Sequence, residues 1–246
     1  MSNTTFHLIE VKIYLDWNWK GILFTGKLVK SLLIDANPRL KSLFRRSSGS
    51  LPKLIHITPL FLPDSKEGKK KCLYSYVEQS SEKRVKDMGW SRGRGVEKIH
   101  NVRIGEGVYT FYVGFAESFT NIDNTVTFEE MYNTLINLNG KHMFKKQKFN
   151  VEVLSVNLID TTLYARKVVE NILADGKLKL IFSSPTLLRD PMRTSKYKGL
   201  VPTPINVFST PVYIHLYLNG KLRASILRRR CVMFHRIFNE TYSIYK

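Results

Sequence analysis

Apolar and polar residues alternate from Phe6 to Trp17, with Leu8, Val11, Ile13 and Leu15 as the apolar set, and this predicts a first strand with one buried face. From Gly26 to Ile34 the spacing changes to that of a helix, carrying Leu28, Leu32 and Leu33, until Asn37-Pro38 stops it. Leu54 to Leu60 and Cys72 to Val77 read as strands separated by the turn Pro63-Asp64-Ser65-Lys66-Glu67-Gly68. The segment 80–105, which holds Gly89, Gly93 and Gly95, reads as a long loop, and Gly107 to Phe115 as a strand dense in Val, Tyr and Phe. Thr127 has the position of an N-cap with Glu130 three residues on, ahead of Phe128, Met131, Leu135 and Leu138 on one helical side as far as Gly140. Phe149 to Leu158 is then a further strand.

Strand, helix, strands, helix, strand is the split βαβ or ferredoxin-like order, an α+β fold in which an antiparallel sheet carries two helices on one face. One such unit, also described as RRM-like βαββαβ, accounts for residues 1–162. The chain then restarts: Val168 to Leu173 reads as a helical link, Leu178 to Phe182 as a strand, Ser183-Ser184-Pro185 as a stop, and Pro202 to Pro211 as a proline-punctuated segment. Two further elements of helical type, broken at Asn219-Gly220, complete a second, shortened ferredoxin-like unit over 175–246.

Charge narrows the function. The chain has 246 residues, a net charge of +19 and 43% hydrophobic residues, so it is a folded basic protein rather than a basic tail. Such an imbalance points to a polyanion, nucleic acid first and an anionic membrane surface second. No run of 18 apolar residues and no signal-peptide pattern at Met1 to Glu10 is present, which predicts a soluble, cytoplasmic protein without membrane spans. Cys72 and Cys231 lie far apart, outside any Cys-x-x-Cys pair, and read as core thiols. Asp123, Glu129 and Glu130 lack the spacing of a two-metal site, so no catalytic metal and no cofactor is expected. Between Pro191 and Asn239 there is no acidic residue while Arg193, Lys196, Lys198, Lys221, Arg223, Arg228, Arg229, Arg230 and Arg236 are basic, a composition suited to a polyanion surface.

The residues Gly26-Lys27-Leu28, Asn37-Pro38-Arg39-Leu40, Phe44, Pro52-Lys53-Leu54 and Phe182-Ser183-Ser184-Pro185-Thr186-Leu187-Leu188-Arg189 together resemble the CRISPR repeat-RNA processing endoribonucleases of the RAMP superfamily, over about residues 5–190. The resemblance implies two ferredoxin-like units in tandem. It also implies metal-independent cutting of the repeat transcript by attack of a ribose 2′-hydroxyl on the adjacent phosphate, leaving a 2′,3′-cyclic phosphate. Such chemistry requires a group to take the 2′ proton, a cation beside the phosphate oxygens and a group to protonate the leaving oxygen. Where well-known members place a Tyr, a His and a Lys, this sequence has Lys30, Arg45 and Lys53. The glycine-rich loop that members carry late in the second unit has no counterpart before Lys246.

Lys30, Arg45 and Lys53 therefore read either as an active-site cluster or as a solvated basic face. His56 reads either as a strand histidine or as a residue reaching the same cleft. Arg39, Lys41 and Arg46 flank this cluster and suit phosphate contacts, as do Arg189, Arg193 and the run Arg228, Arg229 and Arg230. Arg92 and Arg94, on a glycine loop beside Trp90, suit single-stranded RNA or else an exposed loop. Tyr109, Phe111 and Phe115 share one strand parity, which favours core packing over base stacking. Three functions follow in order: an endoribonuclease acting on CRISPR repeat RNA, a non-catalytic RNA-binding subunit of an interference complex, and a basic DNA-binding module. RNA is preferred over duplex DNA because no helix-turn-helix, zinc-finger or basic-zipper pattern occurs.

Overall fold

The first strand, β1 (Thr4–Asp16), is the spine of the fold. In the computed structural model residues 4–21, 23–44, 55–62, 71–79, 97–118, 126–176, 188–189 and 198–199 are described. On β1, Ile9, Val11, Ile13 and Leu15 are fully buried while Lys12 between them and Asp16 after them are exposed, as a strand with one covered face requires. Next come β2 (Trp19–Gly21), α1 (Gly26–Ala36), α2 (Leu40–Phe44), β3 (Ile55–Ile57), β4 (Phe61–Leu62) and β5 (Lys71–Cys72). After β6 (Tyr76–Gln79), β7 (Glu97–His100) and β8 (Val102–Ile104), the long strand β9 (Gly107–Ser118) returns beside β1. Then follow α3 (Phe128–Ile136), β10 (Gly140–Phe144), β11 (Gln147–Ile159), α4 (Thr161–Asp175), β12 (Leu188–Arg189) and β13 (Lys198–Gly199).

The main sheet has seven strands in the order β10-β11-β1-β9-β4-β5, with β3 also paired to β9. All of its pairs are antiparallel. β1 pairs with β9 from Thr4↔Ser118 to Leu15↔Gly107, and with β11 from Leu8↔Ile159 to Asp16↔Asn150. The second register shifts between Lys12 and Ile13, which face Ser155 and Val153 and leave Leu154 as the extra residue of a bulge. Taking β1, β3/β4, β9 and β11 as first to fourth, the sheet order is fourth, first, third, second. The fold is thus mixed α+β around an antiparallel sheet, an arrangement compatible with the ferredoxin-like pattern.

Helices α1 and α3 cover one sheet face. Leu28, Val29, Leu32 and Leu33 of α1 and Met131 and Leu135 of α3 join Ile9, Val11, Ile13, Phe111 and Val113 in a single core. The N-terminus of α1 is held by Thr25, a fully buried residue whose Oγ1 donates to the Leu73 carbonyl (2.6 Å) and accepts from Leu60 N–H (2.9 Å). At the other end Asn37 is extended, as expected of a residue before proline. Thr127 caps α3 by accepting from Glu130 N–H at 3.1 Å. The Glu130 carboxylate does not complete the reciprocal half of a capping box, because it accepts from Asn37 Nδ2 (3.1 Å) and Arg39 Nη1 (2.8 Å) instead.

Several elements depart from the sequence reading. The segment read as a loop over 80–105 contains β7 and β8, paired to β6 and β2 respectively. β10 forms a hairpin with β11 where only a helix end was read. The helical link is longer than read, running through α4 from an N-cap at Asp160, whose carboxylate accepts from Leu163 N–H (2.9 Å), to a left-handed Gly176 at φ 63°. Of the second unit expected over 175–246, only the end of α4 and the pair Leu188↔Gly199, Arg189↔Lys198 fall within the described residues. The strand expected at Leu178 to Phe182 and the elements expected from Pro202 to Phe238 lie outside them.

Candidate functional site

Two groups of cations emerge, one expected and one not. The first surrounds α1 and α2. Lys30 is half-buried, with its ammonium 5.2 Å from the centroid of the buried Phe44 ring at the end of α2, a cation–π contact that ties the two helices together. Lys27 and Lys41 are exposed. Arg39 leaves the turn after Asn37, accepting a local tether in which its N–H donates to Asn37 Oδ1 (3.1 Å), and its guanidinium is committed to Glu130. Because that pair is largely exposed on the arginine side it is worth little to stability, but it lowers the positive potential Arg39 offers a phosphate.

The remaining expected residues divide. Arg45, Arg46, Lys53, Arg92, Arg94, Arg193, Arg228, Arg229 and Arg230 lie outside the described residues, and for Arg189 only the backbone, in β12, is described. His56 is exposed in the middle of β3 and pairs with Gly114, which in turn pairs with Leu8. Paired residues of an antiparallel sheet share a face, so His56 lies on the side of the sheet away from α1. Lys30 and His56 therefore do not share a cleft, which corrects the placing of His56 among the catalytic candidates and leaves its reading as a strand histidine. His56 borders instead a small apolar cavity of about 190 Å³ with Phe6, Leu8, Gly114 and Ala116. Tyr109, Phe111 and Phe115 are buried as core residues.

The face that carries His56 is not a basic one. Tyr112 OH donates to Glu10 Oε2 (2.8 Å), and its ring meets Phe61 edge-on at 6.1 Å. Tyr14 OH donates to Glu106 Oε1. That acceptor bond, reinforced by the charges of Glu106, Asp16 and Glu152, pushes the Tyr14 phenol up to about 12. Burial also raises Tyr109, although its hydroxyl contact with the Gly105 backbone works in the opposite direction. Four carboxylates around Tyr14 and Tyr112 make this part of the open sheet face unattractive to a polyanion.

The second basic group was not read from sequence. Lys141, Lys145, Lys146 and Lys148 are exposed on the β10–β11 hairpin, next to a packed cluster of Trp17, Trp19, Phe144 and Phe149. Lys20 and Arg103 face each other across the β2–β8 pair. A further pairing missed in sequence joins His7 and Glu117, 110 residues apart, at 2.8 Å. Glu117 also accepts from Phe128 N–H (3.0 Å), and the His7 ring lies between Phe115 and Phe128 at 5.0 and 5.2 Å. This arrangement clamps β1 and β9 to the start of α3; no sequence spacing announces it.

Among the described residues no three of His, Cys, Asp and Glu converge as metal ligands would, and no helix is long and apolar enough to cross a membrane. No protein-family model matches the chain, and no curated protein matches it.

Proposed function

We propose that this protein is an RNA-binding protein built on a ferredoxin-like unit, of the kind found in the RAMP superfamily, and that it grips a CRISPR repeat transcript. The observation that carries this reading is the net charge of +19 set beside exposed lysines on α1, α2 and the β10–β11 hairpin. The fourth-first-third-second strand order supports the ferredoxin-like assignment of the first unit, and the resemblance to the RAMP superfamily extends the proposal to a second, shortened unit over 175–246. An interference complex is the natural setting for a subunit that holds the guide without cutting it.

Cleavage by attack of the 2′-hydroxyl is the second reading. It is favoured by one contact: Lys30 reaches the ring of Phe44, which ties this cation to the end of α2, the element that precedes Arg45 in sequence. Lys30, Arg45 and Lys53 would orient the RNA and stabilise developing negative charge on the phosphate. That trio contains no histidine, the side chain that ordinarily exchanges protons near neutral pH, which is why binding is preferred here over catalysis.

The test is incubation with an end-labelled repeat RNA in EDTA beside the same RNA carrying a 2′-deoxy nucleotide at the cut position, with binding followed by anisotropy. Binding should weaken with salt, with a log-log slope of about −0.7 for each neutralised phosphate on single-stranded RNA. A product abolished by the 2′-deoxy substitution establishes the ribonuclease. Binding without product establishes the RNA-holding subunit, and salt-independent or absent binding removes both.

A further inference from the structure

We infer that the end of the sheet around Trp19 is a site for single-stranded RNA, in which a base stacks on the Trp19 indole while Lys20, Arg103 and Lys146 hold the flanking phosphates. This rests on the RNA-binding reading above, and it names a surface that lies apart from the α1–α2 cations.

Two local choices at this end are unfavourable for the fold alone, and a third residue, Trp19, is left half-exposed. Lys20 sits directly opposite Arg103 in the antiparallel β2–β8 pair, and like charges in that relation repel. Lys145 and Lys146 form the two-residue turn between Phe144 and Gln147, with φ of 48° and 65°. A turn with both central residues at positive φ is normally built from Asn and Gly, because a side chain there strains the backbone. Placing lysines at both positions gives up stability for charge at a hairpin tip. Trp19, lastly, is only partly buried, with its indole folded over the Cα of Gly21, where a Cβ would approach the ring to 2.8 Å. Strain and like-charge contacts that converge on one spot mark functional sites more often than they mark scaffolds.

The geometry suits a nucleotide. Against the β2–β8 ribbon lies a groove of about 330 Å³ lined by Asn18, Trp19, Lys20, Arg103 and Ile104. The Trp19 indole stacks on Trp17 with 5.8 Å between ring centroids, and the Lys145 ammonium stands 4.6 Å from its centroid, so part of its covering is a charged group on a flexible stem. An arriving base takes that place by stacking, and the ammonium moves to the phosphate beside it. Two carboxylates near this end, Asp16 and Glu106, keep their charge while accepting from Asn150 Nδ2 (3.1 Å) and from the Tyr14 hydroxyl, so the phosphates are held on the lysine and arginine side of the groove. Among the described residues none of the ion pairs involves Lys20, Arg103 or Lys146. The ribbon is held in position by Ser75, whose Oγ accepts from Leu23 N–H (2.9 Å) and Val102 N–H (3.2 Å) and donates to the Gly21 carbonyl (3.1 Å).

The test uses the full chain and a short oligouridylate carrying one 4-thiouridine. Irradiation should place the photo-adduct on the peptide containing Trp19. Anisotropy over about 50 to 200 mM potassium chloride should show that Lys20→Gln/Arg103→Gln/Lys146→Gln lowers the magnitude of the salt slope by about two, as loss of three phosphate contacts requires. Trp19→Ala should weaken binding about ten-fold with the slope kept. The triple variant alters exposed side chains only, so it remains informative even where Trp19→Ala disturbs the aromatic cluster. Wild-type affinity and slope in the triple variant would overturn this site while leaving the RNA-binding reading intact. Failure of the unmodified protein to bind the oligouridylate or the repeat RNA would overturn both.

Discussion

Thr25→Val tests how α1, and with it Lys27 and Lys30, is anchored to the sheet. The substitution keeps the shape of the side chain and removes only the hydroxyl, so no cavity forms. That hydroxyl is fully buried and makes two hydrogen bonds, to the Leu73 carbonyl and from Leu60 N–H. Leu60 is 0% exposed and Leu73 8%, so water does not replace the lost partner. A buried polar group left without a partner costs about 1–3 kcal/mol, and two of them bring the expected loss to about 2–6 kcal/mol. Thr25→Ser keeps both bonds and deletes one methyl, for about 1 kcal/mol. Urea unfolding followed by far-UV circular dichroism, with the two variants compared at equal m-value, measures the difference. If Thr25→Val proves as stable as Thr25→Ser, the hydroxyl is not what fixes the start of α1 and the argument fails.

Glu130→Gln should release the Arg39 guanidinium at a cost of about 0.5 kcal/mol in stability and raise affinity for repeat RNA two- to three-fold, by an order-of-magnitude Coulomb argument; weaker binding in anisotropy would show that Arg39 does not face the RNA. The phenol of Tyr14 should ionise near pH 12 rather than near 10, and Glu106→Gln should bring it back toward its ordinary value, as read by NMR titration of ring-labelled tyrosine. Because the folded-state value is the higher one, the stabilisation linked to Tyr14 is complete below about pH 10 and is lost as pH rises toward 12. Lys30→Met retains the aliphatic stem over Phe44 and loses the charge, so stability should fall by less than about 1 kcal/mol. Under the cleavage reading, cutting by Lys30→Met and by Arg45→Ala should drop more than about ten-fold with binding nearly kept, and unchanged cutting would remove these cations from the mechanism.

Local sequence determined a good deal. The alternation in β1 is imposed by a sheet with one covered face, and it is visible because Ile9, Val11, Ile13 and Leu15 are fully buried while the residues between them are not. The stop after α1 follows from the backbone restriction that Pro38 places on Asn37, and the start of α3 from the Thr127 hydroxyl, both interactions between near neighbours. The excess of cations is likewise a property of composition alone. Tertiary structure decided the rest. The three-residue strands β2 and β8 owe their existence to each other across more than eighty positions of chain, and no local propensity announces a partner at that distance. Glu130 looks like half of a capping box, yet its carboxylate is claimed by Asn37 and Arg39, a stronger charge-assisted arrangement that exists only because α1 ends beside α3. His56 and Lys30 carry suitable chemistry, but the pairing of β3 with β9 puts the sheet between them. The Trp19 groove and the His7–Glu117 clamp arise in the same way, from chain segments brought together by strand pairing, because side chains acquire their chemical neighbours from topology rather than from sequence order.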